Sequence, residues 1–251
     1  MASVSNNEIK KIRSLQQKKF RDESGLFVVE GEKMVEEAVR SDFEVLSIYR
    51  REEIGHETMS RISSLSSPSP VLAVVRKPEY IYGADMSVLR ETISRGGLYL
   101  GLDTIRDPGN LGTILRIADW FGVDAIFATD DTVDIFNPKV VQATMGAIFR
   151  VRFHYVDLPE LSEQMLEAGG KVYGTFLDGV NIYERELDTG ISGPVMIVIG
   201  NEAEGISEKM SGIVSDRLFI PPFPADSPGS ESLNAAIATA LTVAEFRRRT
   251  I

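Results

Sequence analysis

The chain has 251 residues, 43% hydrophobic and 25% charged, with a formal net charge of −10, no cysteine and two histidines, His56 and His154. This is an ordinary globular composition, long enough for one large or two modest domains. It excludes a disulfide framework, thiol catalysis and a His-rich metal centre, and no apolar run reaches the ~18 residues of a membrane helix. The polar N-terminus lacks the apolar stretch of a secretory signal, so the expected compartment is the cytoplasm, with no membrane association. His56 and His154 are far apart in sequence and read as surface or internally satisfied side chains.

In chain order, residues 6–21 are expected to form one helix with Ile9, Ile12, Leu15 and Phe20 as its apolar positions. Lys10, Lys11, Arg13, Lys18, Lys19 and Arg21 face a single acid, Glu8, in this stretch. Such a cluster can hold RNA phosphates within an acidic chain, or be a solvated helix face; charge pattern alone leaves the two even. Residues 25–30 read as a strand, Gly31–Glu32 opens a helix through Met34, Val35 and Ala38, and residues 43–49 form a strand. A helix at 56–65, a Ser/Pro loop at 66–70 and a strand at 71–75 complete a small α/β unit. The pattern weakens over 77–96, placing a first domain at 1–92 and a second at 97–251. Strands are expected at 98–102, 125–128, 172–176, 195–199 and 217–220, and helices at 111–121, 138–147, 158–168, 207–214 and 233–248. Apolar strands alternating with helices predict a parallel sheet covered on both faces. Arg247, Arg248 and Arg249 end the last helix, where cations suit the helix dipole or could join an RNA surface.

Three stretches carry chemistry. In "LDTIRDPGNLGTILRIADWFGV" (102–123), Leu111, Ile114, Leu115, Ala118 and Phe121 form one apolar stripe, and Arg116 lies nearly opposite it. Asn110 is placed to cap this helix. Neither G-x-G-x-x-G nor the P-loop pattern is present, so a dinucleotide oxidoreductase is poorly supported. In "VMIVIGNEAEGIS" (195–207) a strand runs into Gly200 and a polar loop. Gly200 would let a ligand approach the backbone closely, and Glu202 would accept a hydrogen bond, at the strand end where α/β sheets bind ligands. In "LFIPPFPADSPGSESLNAAIATALTVAEF" (218–246), Ser232 fits as the cap of an Ala-rich helix.

In their order, the three stretches resemble the SpoU (TrmH-type) family of RNA ribose 2′-O-methyltransferases, in the SPOUT superfamily. Asn110, Gly112 and Arg116 match its first motif, Gly200, Asn201, Glu202 and Gly205 its second, and Ile220, Pro221 and Ser232-Leu233-Asn234 its third. "NPKVVQATMGAIFRV" (137–151) resembles the intervening segment, so the resemblance spans about residues 97–251. The N-terminal part resembles the small L30e-like α/β substrate-binding domain of the family, most closely in "FVVEGEKMVEEAV" (27–39).

The resemblance implies a SPOUT-type α/β fold with a deep trefoil knot, S-adenosylmethionine as cofactor, no metal, and a homodimer through the C-terminal domain. The cofactor would bind at Thr175, Phe176, Gly200, Asn201, Glu202, Gly205, Ile220 and Leu233. Arg116 would be catalytic, with Asn110, Glu202, Ser232 and Asn234 orienting it, the ribose and the cofactor. An arginine stays protonated, so electrostatic stabilisation of an alkoxide and phosphate is preferred to a base role, which stays open. Lys10, Lys11, Arg13, Lys18, Lys19 and Arg21 would join Arg116 in gripping RNA, ribosomal RNA before transfer RNA. The loop "PFPADSPGSE" (222–231), inside the third motif, is longer than usual for the family. The competing reading is a non-catalytic RNA-binding or ribosome-assembly protein that keeps the knotted fold.

Overall fold

A computed structural model of the chain describes residues 4–83, 85–191, 193–224 and 232–250. Most of the lengthened loop, residues 225–231, therefore lies outside the described residues. The elements in chain order are α1 (Asn6–Ser14), α2 (Lys18–Ser24), β1 (Leu26–Glu30), α3 (Glu32–Arg40), β2 (Val45–Arg50), α4 (Arg51–Ile54), α5 (His56–Ile62) and β3 (Val71–Arg76). Then come α6 (Met86–Ser94), β4 (Gly97–Asp103), α7 (Pro108–Trp120), β5 (Ala125–Ala128), α8 (Pro138–Ala143), β6 (Phe153–Tyr155) and α9 (Leu158–Glu167). The chain finishes with β7 (Lys171–Asn181), β8 (Pro194–Gly200), α10 (Glu208–Ile213), β9 (Asp216–Phe219) and α11 (Ala235–Arg248).

Packing divides the chain into two compact units. The first holds the residues up to Pro78 together with Asp134–Arg150, and the second holds Glu79–Val133 and the residues from Val151 on. This departs from a division at residues 92 and 97. Leu89 and Ile93 of α6 bury in the core of the second unit, so residues 79–96 pack there. Residues 134–150 go to the first unit because their apolar and charged side chains are used there. The Phe136 ring lies 4.5 Å from Phe27 and the Phe149 ring 5.1 Å from Phe43.

In the first unit β1 and β2 flank β3, and both pair with it antiparallel. The helix expected over 6–21 is two helices, because the chain breaks at residues 15–17. Arg21 explains the break. Its Nη1 donates to the carbonyls of Leu15 and Gln16, both at 2.9 Å, which satisfies acceptors freed by the missing turn. Its Nε and Nη2 donate to Asp134 Oδ2 at 3.1 and 2.6 Å, and the residue is 2% exposed.

In the second unit six strands form one sheet in the order β6-β5-β4-β8-β7-β9, every neighbouring pair parallel. Every residue of β8 is buried, the mark of a central strand covered on both faces. Tyr99, Phe127, Met196 and Val198 share one core with Leu158, Leu161 and Met165 of α9 and with Met210 of α10. Elsewhere α11 packs on α7 and on β8, and the Phe246 ring meets Tyr173 edge-on at 5.1 Å. The edge strand β6 and helix α6 were not anticipated: β6 is three residues long, and α6 sits in the weakly patterned 77–96 stretch. β7 runs past the expected Phe176 to Asn181, resuming its pairing with β9 after a register shift at Thr175.

Candidate functional site

The parallel sheet puts the C-terminal ends of β4, β8, β7 and β9 at one edge. The strand order reverses between β4 and β8, the crevice position where open α/β sheets bind ligands. The turns that leave these strands carry the three motifs.

The turn after β4 opens α7 three residues earlier than expected. Asp107, not Asn110, is its N-cap: Asp107 Oδ1 accepts the Asn110 N–H at 2.8 Å, and Pro108 fills the first helical position. That frees the Asn110 side chain. Its Nδ2 donates to Glu202 Oε1 at 2.9 Å, and its Oδ1 accepts from Asn234 Nδ2 at 2.8 Å. Asn234, not Ser232, caps α11, its Oδ1 accepting the N–H groups of Ala236 and Ile237. A chain of three side chains thus joins the turn after β8 to the starts of α7 and α11. Ser232 is exposed and outside it.

Glu202 also accepts the N–H groups of Arg106 and Asp107 at 3.3 and 3.2 Å. Burial pushes its pKa up, but hydrogen bonds from the Asn110 amide and from backbone N–H groups of Glu202, Asp107 and Arg106 outweigh this and hold it below the ordinary value. Glu202 is therefore an ionised clasp rather than a proton carrier. Asn201 is largely committed internally: its Nδ2 donates to the Thr104 carbonyl at 2.8 Å, and its Oδ1 accepts the N–H groups of Ala203 and Glu204.

Gly200 is required for a reason other than ligand approach. A Cβ there would lie 2.2 Å from the backbone of Gly205 and Ile206, so the turn folds back over its own glycine. Gly205 has φ +73°, and a Cβ on it would point into open space. Ile220 follows β9 half-buried, and Leu233 is 48% exposed with a backbone N–H that meets no acceptor among the described residues. Thr175 Oγ1 donates to the Val198 carbonyl at 3.4 Å. Phe176 packs against the core beside it, with the Arg217 guanidinium 3.5 Å above its ring.

Arg116 is exposed on α7 and makes no hydrogen bond or ion pair among the described residues. It is not in the Asn110–Glu202–Asn234 chain, so those three orient one another rather than Arg116. Of the basic cluster, Lys10, Lys11 and Arg13 are exposed, Lys18 pairs with Asp22 and Lys19 with Glu23, and Arg21 is buried. Arg21 is thereby removed from the RNA-binding set. The C-terminal arginines are committed too: Arg247 donates to the carbonyls of Phe121 and Gly122, and Arg248 and Arg249 clamp Glu245.

Sequence reasoning missed Asp107 and Asp103. Asp103, 3% exposed at the end of β4, accepts the Ser207 N–H at 2.7 Å and ties the β4 turn to the segment after β8. The Asp107-Pro108 pair was a readable signal, since an N-cap acid before a first-turn proline marks a helix start.

A parallel sheet with glycine- and asparagine-bearing turns at one edge defines an α/β ligand-binding domain. The chain belongs to the SpoU rRNA methylase family, whose model matches residues 97–244, while an MRM3-like substrate binding domain matches residues 6–77. It is 29% identical over 260 residues to the 23S rRNA (guanosine(2553)-2′-O)-methyltransferase RlmP of Bacillus subtilis, covering 98% of both chains. A Porphyromonas gingivalis structure assigned to the TrmH family is 35% identical, with a TM-score of 0.84 over 99% of this chain and 100% of that one. The AdoMet-bound structure of an rRNA methyltransferase from Sinorhizobium meliloti is 30% identical, with a TM-score of 0.85 over 100% and 98% of the two chains.

Proposed function

We infer that this chain is an S-adenosylmethionine-dependent RNA methyltransferase acting on a ribose 2′-hydroxyl of ribosomal RNA. The observation that carries the reading is the Glu202–Asn110–Asn234 chain, which links three family motifs at the β4/β8 switch point. The residues fit the cofactor. Leu233 offers an unused N–H and an exposed apolar side chain, Ile220 a half-buried one, and Gly205 an uncovered backbone. S-adenosylmethionine, when bound, supplies an electrophilic methyl group for transfer to oxygen.

The chain's own residues do the rest. Thr175, Phe176, Gly200, Gly205, Ile220 and Leu233 frame the cofactor site, and Asn201 and Glu202 hold the turn over it in shape. Asn110 and Asn234 fix the helix starts that border it. Arg116 stays cationic, binds an RNA phosphate and stabilises the negative charge that develops on the ribose oxygen. The proton leaves that oxygen for solvent or the neighbouring phosphate, because Arg116 is already protonated.

Residues before Pro78 act as an L30e-like RNA-binding domain, with Lys10, Lys11 and Arg13 meeting phosphates. The second unit carries the trefoil knot that membership of the family implies. Two copies pair through α7 and α11, whose exposed Trp120, Ile237 and Leu241 are 85%, 51% and 39% accessible. Arg116 then sits one helical turn from the partner surface. The work is done in the cytoplasm; no helix among the described residues is long and apolar enough to cross a membrane.

The test is methyl transfer from labelled cofactor to ribosomal and transfer RNA, with calorimetry of cofactor binding alongside. Transfer by the wild type, lost in Arg116→Ala while cofactor affinity holds, supports the reading. Clear RNA binding with no cofactor binding would instead support a non-catalytic assembly protein.

A further inference from the structure

We propose that Arg106 is a second phosphate-binding residue of the site, one that holds the RNA strand beside the nucleotide to be methylated and sets how tightly RNA binds rather than how fast it reacts. The proposal rests on the reading of RNA as the substrate. Arg106 precedes the first motif, whose matching residues are Asn110, Gly112 and Arg116.

The chain leaves β4 in a strained conformation. Thr104 is β-branched and has φ +65°. Such a residue costs about 1–3 kcal/mol and persists only where its surroundings impose it. Here they do. The Thr104 N–H donates to Thr129 Oγ1 at 3.0 Å, and its carbonyl accepts from Asn201 Nδ2 at 2.8 Å. Ile105 is fully buried, its N–H donating to Thr132 Oγ1 at 3.3 Å and its carbonyl accepting the Val133 N–H at 2.8 Å. The Arg106 N–H then goes to Glu202 Oε2 at 3.3 Å. Three consecutive residues are thus tied through their main chain to the turns after β5 and β8. The last of them roots an exposed arginine beside Glu202, whose Oε1 accepts from Asn110.

The guanidinium at the end of that side chain has no partner among the described residues. Arg95, Arg185, Arg217 and Arg248 of the same unit are all ion-paired. Arg106 is not, although Asp107 and Glu202 are its neighbours. Both of those carboxylates face N–H groups of the turn: Glu202 Oε1 accepts from Asp107, and Asp107 Oδ1 accepts from Asn110. Two carboxylates at the mouth of a site repel an arriving phosphate, and a cation on the same turn offsets them. A guanidinium fork matches phosphate oxygens, and a side chain whose root is fixed loses less freedom on binding. Arg116, equally unpaired, follows on α7, so the two arginines bracket Asn110 in the chain. Arg116 serves the reacting nucleotide, and Arg106 takes the phosphate of a neighbour.

The full-length chain is assayed for methyl transfer to ribosomal RNA transcribed in vitro, and its affinity for the same RNA is followed by fluorescence anisotropy across a salt series. Arg106→Gln is expected to raise KM for RNA about tenfold with kcat nearly kept, and to lower the salt slope of RNA binding by about 1. Its Tm and its cofactor affinity by calorimetry should match the wild type. Arg106→Lys keeps the charge without the fork, so it should restore the slope and part of the affinity. Arg95→Gln removes an equal charge from α6 and is expected to alter neither KM nor slope. Unchanged KM and slope in Arg106→Gln, or losses that Arg95→Gln reproduces, overturn the proposal. A fall in kcat at unchanged KM would move Arg106 into the chemistry, and a lowered Tm would move it into the fold; either result overturns it too. A wild type that binds RNA but transfers no methyl fails the enzyme reading, while affinity and slope still judge Arg106. A wild type that binds no RNA overturns the proposal outright.

Discussion

Arg21 belongs to a run of basic residues that invites an RNA-binding role, yet it is 2% exposed and serves four hydrogen bonds. Arg21→Ala would leave the buried Asp134 carboxylate without its guanidinium and two carbonyls, of Leu15 and Gln16, without their donor. Breaking a buried ion pair by removing one partner costs about 3–5 kcal/mol. For a protein of this size each kcal/mol moves the midpoint by about 2–4 °C, so Tm should fall by about 10 °C. Arg21→Lys should restore little, because one ammonium cannot fork between Asp134 and two carbonyls. Arg21→Met/Asp134→Leu should regain only part of the loss, since no charge is left buried but the Leu15 and Gln16 carbonyls and the Phe136 N–H lose their partners. The assay is thermal unfolding in parallel with RNA binding. By contrast Lys10→Ala/Lys11→Ala/Arg13→Ala should leave Tm within about 1 °C while weakening RNA binding and its salt slope. An Arg21→Ala variant with unchanged Tm and weakened RNA binding would refute the reasoning.

Asn110→Ala and Glu202→Ala each break one chain of hydrogen bonds, so a double-mutant cycle in urea should return a coupling of about 1–3 kcal/mol; additive losses would contradict the link. Gly200→Ala should destabilise the second unit by about 3 kcal/mol or more and abolish cofactor binding in calorimetry, because its methyl would meet backbone 2.2 Å away. Gly205→Ala faces open space and should show only the ~1–2 kcal/mol strain of a left-handed residue. The Arg248 guanidinium, against opposing burial and with help from Arg249, lowers the Glu245 pKa from 4.5 to about 2. A depressed folded value stabilises above the unfolded pKa. That contribution should therefore be present above about pH 4.5 and disappear as pH falls towards 2, and Glu245→Gln should flatten this part of the stability–pH curve.

The C-terminal fold was legible because β4, β5 and β8 are apolar runs bounded by turn residues, and helical stripes separate them. Buried central strands advertise themselves in this way. β6 is too short to show a period, and α6 carries mixed polarity. The site was legible as an order of motifs but not as a mechanism. Asn110, Glu202 and Asn234 are separated by 92 and 32 residues, and only the sheet's strand order brings them within hydrogen-bond distance. Local rules placed caps on Asn110 and Ser232, whereas Asp107 and Asn234 hold those positions, because the helices start where Pro108 and the Asn110–Asn234 contact allow. Arg21 misled for the same kind of reason. Its partner Asp134 lies 113 residues away, and nothing local distinguishes a solvated cation from a buried one.

The central claim is methyl transfer to a ribose oxygen, and the chemistry of the product tests it most directly. Ribosomal RNA treated with the protein and isotope-labelled cofactor is hydrolysed in alkali, which cuts beside every free 2′-hydroxyl and leaves a 2′-O-methylated nucleotide joined to its neighbour. The account predicts label in alkali-resistant dinucleotides with the wild type, and at least about a hundredfold less with Arg116→Ala at unchanged cofactor affinity. Label in mononucleotides, marking a methylated base, or equal labelling by Arg116→Ala would contradict it.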